Sequence, residues 1–133
     1  MIDLSAGIAV DAAHSMKNKR TEFQGVDLST GEVIFYKDLG NKTINIGEFL
    51  AVVEACKWIN EHDYKPRRIF TDSMVAISWF KAKRAQSKKR DRQLDIGLIY
   101  LRAAHMFVDD IEVLHWDNKL YGETPADFGN KRW

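Results

Sequence analysis

The stretch "RRIFTDSMVAISWF", residues 67–80, decides the fold class. Ile69-Phe70-Thr71 is a short apolar run, and a buried strand is expected over Arg68 to Thr71. From Asp72 onward the pattern changes, and Val75, Trp79 and Phe80 predict the inward face of a helix reaching about Lys83. A strand that hands over directly to a helix belongs to an α/β sheet. Asp72 stands at the junction. As a local feature it is a helix N-cap, worth about 1 kcal/mol. As chemistry it is a carboxylate at the carboxyl end of a strand, where α/β sheets bind their ligands.

Working outward, Phe49, Val52, Val53 and Cys56 fall at i, i+3, i+4 and i+7 and predict a helix from Asn45 to about Asn60. Three strands precede it, over 5–12, 21–28 and 32–37, with "STGE" at 29–32 as a hairpin signal. A helix is expected over 91–108, carrying Leu94, Leu98, Leu101 and His105 or Met106 inward. "IEVLHW" at 111–116 reads as a fifth strand, and Thr124-Pro125 opens a short last helix. The order β-β-β-α-β-α-α-β-α implies an α/β fold in one domain, residues 1–133. Its sheet is mixed and five-stranded, an antiparallel three-strand meander followed by alternating strands and helices, with helices on both faces.

Hydrophobic residues make up 45% of the 133 and charged residues 29%, which fits a packed core rather than a disordered chain. No run approaches the roughly 20 apolar residues of a membrane helix. "MIDLSAGIAVDAA" has no basic region ahead of its apolar run, so a strand is expected there and not a signal peptide. Cys56 is the one cysteine, expected to pack in the core; without paired cysteines the chain fits a reducing cytoplasm. Net charge is only +1, but residues 81–92, "KAKRAQSKKRDR", hold seven Lys or Arg against one Asp, leaving the rest of the chain acidic. A concentrated basic patch is either a solvated surface or a grip for a polyanion.

Four carboxylates stand at predicted element boundaries: Asp11 at the end of strand one, Glu48, Asp72, and Asp127 in the first turn of the last helix. Each has a structural explanation. Asp11 can anchor a turn, Asn45 and Glu48 form a capping box, Asp72 can cap, and Thr124 and Asp127 form a second box. Together they also suit a hard cation. Mg²⁺ takes oxygen ligands and shares them with phosphates, and two ions about 4 Å apart clamp the attacking and leaving oxygens of a phosphodiester.

"GIAVDAA", "NIGEFLAVVEACKWI", "RIFTDSMVAISWF" and "YGETPADFGNK" come in the order and spacing of type 1 ribonuclease H, which the chain resembles over nearly its whole length. Within that family it is similar to the short ribonuclease H modules that occur with viroplasmin-like domains. The resemblance implies a metal-dependent endonuclease that cuts the RNA strand of an RNA/DNA hybrid, leaving 5′ phosphate and 3′ hydroxyl ends. It implies Asp11, Glu48, Asp72 and Asp127 as catalytic ligands of two Mg²⁺ (Mn²⁺ as alternative). It further implies Asn45 as a hybrid contact, and Lys81, Lys83, Arg84, Lys88, Lys89 and Arg90 as phosphate contacts. The expected partner is the hybrid, with no membrane and a monomeric chain.

The chain departs from the family at two places. The usual T-D-G-S is here Val10-Asp11-Ala12-Ala13-His14-Ser15. The loop histidine found in many members is missing, and ten residues before Asp127 stands Asp117. His115 and Glu123 are the candidates to replace it. Six residues follow Asp127, so a last helix of one or two turns is expected. Trp79, Phe80 and Trp116 are expected in the core, and His14 on the surface. A related DNA nuclease and a non-catalytic nucleic-acid-binding module are the competing functions. Loss of acidic ligands would mark the binding module, and this chain keeps all four.

Overall fold

The computed structural model describes residues 3–87 and 90–128. Three antiparallel strands, β1 (Ile8–Ser15), β2 (Arg20–Asp27) and β3 (Glu32–Gly40), open the chain. Then come α1 (Ile44–His62), β4 (Arg68–Thr71), α2 (Met74–Ala82), α3 (Arg92–Ala103), the single turn α4 (His105–Val108), β5 (Glu112–His115) and the single turn α5 (Asn118–Tyr121). The five-stranded sheet runs β3-β2-β1-β4-β5, with β4 parallel to both of its neighbours. The expected mixed sheet is therefore present, and the strand of residues 67–80 is β4, an interior strand between β1 and β5.

Alternation along the strands sorts side chains onto two faces. Ile8, Val10, Phe23, Ile69 and Val113 point into the large core, where they meet Phe49, Val52 and Cys56 of α1, Trp79 and Phe80 of α2, and Leu94, Leu98 and Leu101 of α3. Ala9, Val26, Phe70, Trp116 and Ala126 form a smaller core on the opposite face, covered by α5 and the chain that follows it. Residues Ile46 through Val53 are buried without interruption, because α1 lies between the sheet and α2 and α3. That is broader burial than the single apolar face expected from spacing, and it carries Glu48 inside with its neighbours.

Several local expectations are corrected. Thr43, not Asn45, caps α1: its side chain accepts from the Ile46 N–H, and Asn45 sits exposed in the first turn. Ser73, not Asp72, caps α2, its Oγ accepting from the Ala76 N–H at 3.0 Å. β1 does not stop at Asp11, since its pairing with β2 continues to Ser15 opposite Arg20. The helix expected over 91–108 breaks at Ala104, whose φ of −97° and ψ of 22° are not helical. The axis changes there, so Val108 reaches the core while His105 and Met106 stay exposed. Val75 is likewise outward, and Ala76 and Ile77 are buried in its place. No helix starts at Thr124 among the described residues. Pro125 sits at the second position of a β-turn instead, closed by the Asp127 N–H on the Thr124 carbonyl at 3.0 Å. Cys56 and Trp116 are buried as expected, and among the described residues no helix is long and apolar enough to cross a membrane.

Gly47 controls how closely α1 approaches the sheet. A Cβ there would lie 2.8 Å from Thr21 Cγ2 and 3.3 Å from Ala12 Cβ. Thr21 cannot swing aside freely, because its hydroxyl donates to the Lys42 carbonyl at 2.5 Å and contacts His14 Nδ1 at 2.6 Å. Gly47→Ala is therefore expected to cost about 1–3 kcal/mol through overpacking, read as a lower urea midpoint with an unchanged slope. An unchanged midpoint would mean that the contact relaxes.

Candidate metal and nucleic-acid site

The site forms where the parallel pairing of β1 and β4 ends. Val10 is in register with Thr71, so Asp11, the next residue of β1, lies beside Asp72, the first residue beyond β4. Asp11 continues along β1 opposite Gln24, on the same side as Ala9 and the small core. Glu48 comes from the first turns of α1, and its Oε1 accepts from the Ala12 N–H at 3.2 Å. One oxygen from each of Asp11, Glu48 and Asp72 lies within 4.8 Å of the others. Because Ser73 performs the capping, the Asp72 carboxylate is not committed to its own helix. Its Oδ2 accepts from Asn118 Nδ2 at 3.0 Å.

Three carboxylates this close strain one another electrostatically. Asp11 and Glu48 are buried and Asp72 half-buried. Burial, and after it the Asp72 charge, raises Asp11 far above the ordinary carboxylate range; Asp127 adds to the effect. Burial, followed by the charges of Asp11 and Asp72, raises Glu48 further still. Glu48 Oε2 is buried with no hydrogen-bond partner among the described residues. Like charges with this little compensation favour protonation or a cation. An all-oxygen set with one orphaned oxygen suits a hard divalent ion, so the residues present fit the metal that the sequence resemblance implies.

The remaining expected residues are distributed around this cluster. Asp127 is outside the three-carboxylate group, exposed on the Thr124–Asp127 turn, yet near enough for its charge to act on Asp11. Lys81 and Arg84 are exposed, whereas Lys83 Nζ is already paired with Asp109 Oδ1 at 2.6 Å. Lys88 and Lys89 lie outside the described residues. Arg90 borders a cavity of about 260 Å³ with His14, Lys42 and Thr43, beside the start of α1. His14 is thus half-buried at a polar cavity rather than on open surface. His115 is exposed at the end of β5, where alternation puts it on the Val113 side of the sheet, away from Asp11. Glu123 is exposed in the chain between α5 and the Thr124 turn. Asn118 was missed from sequence; its only signal was to follow Asp117, which caps α5.

The mixed sheet with its helices is the ribonuclease H fold. Solved structures with this fold include RNase H1 from the halophilic archaeon Halobacterium salinarum NRC-1, at 15% identity over 86% of this chain and 86% of that one, with a TM-score of 0.55. LC11-RNase H1 in complex with RNA/DNA hybrid is similar at 13% identity, over 85% of this chain and 86% of that one, with a TM-score of 0.57. No protein-family model matches the chain.

Proposed function

We propose that this chain, acting as one ribonuclease H-like domain, hydrolyses the RNA strand of RNA/DNA hybrids with the help of two divalent ions. The convergence of Asp11, Glu48 and Asp72 at the end of the parallel strand pair carries this reading. It is supported by the likeness in fold to an RNase H1 solved with such a hybrid. Bound at this cluster, divalent ions supply an activated water and stabilisation of the leaving 3′ oxygen. Asp11, Glu48 and Asp72 would hold the ions, with Asp127 approaching from the Thr124 turn. Lys81, Arg84 and Arg90, exposed on the segment after the α2 metal-site junction, would hold phosphates of the hybrid, as would Lys88 and Lys89. Asn45, exposed one turn before Glu48, would contact the hybrid in its minor groove, where shape and 2′-hydroxyls distinguish RNA from DNA. Kinship with the viroplasmin-associated branch rests on the sequence resemblance alone, and a reducing cytoplasm on the cysteine content.

The test is incubation with end-labelled RNA/DNA hybrid, duplex DNA and duplex RNA, in Mg²⁺ and in Mn²⁺. Internal cuts in the RNA of the hybrid alone are expected. Cuts in duplex DNA would point to a DNA nuclease, and hybrid bound but uncut in either metal would point to a binding module.

A further inference from the structure

We propose that Asn118 is a positioning residue that fixes the carboxylate of Asp72 relative to the turn bearing Asp127. This rests on the metal-site reading above. Both ends of the Asn118 amide are engaged. Nδ2 donates to Asp72 Oδ2 at 3.0 Å, and Oδ1 accepts from the Thr124 N–H at 3.2 Å. The amide orientation follows from its partners, since an ionised carboxylate only accepts and a backbone N–H only donates. Thr124 in turn builds the turn with Asp127. Its carbonyl accepts from the Asp127 N–H at 3.0 Å, and its Oγ1 from the Ala126 N–H at 3.4 Å. One side chain therefore ties the end of β4 to a segment more than forty residues later in the chain.

The platform that carries Asn118 is itself anchored. Asp117 Oδ1 caps α5 through the Lys119 N–H at 3.0 Å and the Leu120 N–H at 3.3 Å. Trp116 packs edge-on to Phe70 of β4 and Tyr121 of α5, and its Nε1 donates to the Gly122 carbonyl at 2.9 Å. Gln24 Nε2 donates to the Ala126 carbonyl at 2.6 Å, closing the segment onto β2. What this frame does not itself fix is the rotation of the Asp72 carboxylate, and the Asn118 N–H does that. A neutral donor is the chemistry required. Lysine or arginine there would neutralise the charge that a cation needs, and a carboxylate would add repulsion to a crowded cluster. A carboxylate oxygen has two lone pairs, so the bond from Asn118 leaves room on Asp72 for a metal.

A double-mutant cycle of Asn118→Ala and Asp127→Asn tests this, with Mn²⁺ affinity by titration calorimetry as one readout and hybrid cleavage as the other. Asn118→Ala should weaken Mn²⁺ binding roughly tenfold to a hundredfold, the range for residues that orient metal ligands. Cleavage should fall in kcat with little change in KM. Asp127→Asn should do less harm in the Asn118→Ala background than in the wild type, because the turn is already released. Unchanged Mn²⁺ affinity in Asn118→Ala, or strict additivity in the cycle, overturns the proposal. Asn118→Ser, which keeps a small polar residue in α5, carries the same measurements if the alanine variant folds poorly. If wild-type protein cleaves no hybrid, the function reading falls while the Mn²⁺ arm still decides the role of Asn118. If wild type cleaves and Asn118→Ala matches it in both readouts, the positioning role alone falls.

Discussion

Asp72→Asn is expected to abolish hybrid cleavage while leaving the fold and hybrid binding intact. The reasons are separable because the structure assigns the helix cap to Ser73. Asparagine at 72 keeps the size of the side chain and an oxygen that can accept from Asn118, so the local frame survives. What disappears is one charge of the cluster that would hold the ions. Metal stabilisation of a phosphoryl transition state is worth several kcal/mol, and each 1.36 kcal/mol is tenfold in rate. A loss on the order of a thousandfold or more in single-turnover cleavage follows. Binding of the hybrid, measured by fluorescence anisotropy without metal, should persist, because it would depend on the basic segment and not on a carboxylate. Metal-free stability should hold or rise, since Asp72 raises both Asp11 and Glu48. Retained cleavage in this variant would remove Asp72 from the site.

The second large effect is on stability. In metal-free protein, Tm should fall as pH rises from about 5 to about 8, and a divalent ion should restore it. Asp11 and Glu48 have folded pKa values raised above their unfolded ones, Asp11 to about 7. The folded state therefore holds extra protons. Their contribution is fully present below the unfolded pKa and is lost as pH climbs through the folded value. Asp110 behaves oppositely, because the Arg67 guanidinium holds it below the ordinary range, and its contribution is lost only in acid. The two windows do not overlap. At pH 8 an ion present at about 100 times its Kd should add about 2.7 kcal/mol, visible as a rise in Tm of several degrees. At pH 5 the rise should be much smaller, since protons compete for the same oxygens. Glu48→Gln keeps the acceptor for the Ala12 N–H and needs no proton taken up on folding, so it should raise the metal-free Tm at pH 8 and flatten its pH dependence. A wild-type Tm that is insensitive to both pH and Mn²⁺ over this range would contradict the electrostatic account of the cluster.

Much of the architecture was legible from residues 67–80 and the periodicities around them. Strand β4 matches its predicted span, 68–71, because its buried apolar run is bounded by Arg67 on one side and Asp72 on the other. The meander and α1 were legible for similar reasons. Termini of elements were harder, because several polar residues stood near each boundary and only one could cap. Thr43 competes with Asn45, and Ser73 with Asp72, and in both cases the earlier or later neighbour has the geometry. The end of the chain misled most. Thr124-Pro125 has the form of a helix start, yet the same two residues build a β-turn, and the helical turn lies earlier, at Asn118–Tyr121. Of the candidate site, Asp11, Glu48, Asp72 and Asp127 were read as a set from their boundary positions and order; the first three meet, and Asp127 lies outside that group. Asn118 was not legible, since a hydrogen bond across forty-six positions leaves no local pattern.

The most direct test of hybrid cleavage is a time course of wild-type protein with an RNA/DNA hybrid labelled on both strands, started by adding Mg²⁺ to metal-free protein. The predicted result is internal cleavage confined to the RNA strand, dependent on the added ion, with 5′ phosphate and 3′ hydroxyl ends on the products. A hybrid that stays bound and intact on both strands, in Mg²⁺ and again in Mn²⁺, would contradict it.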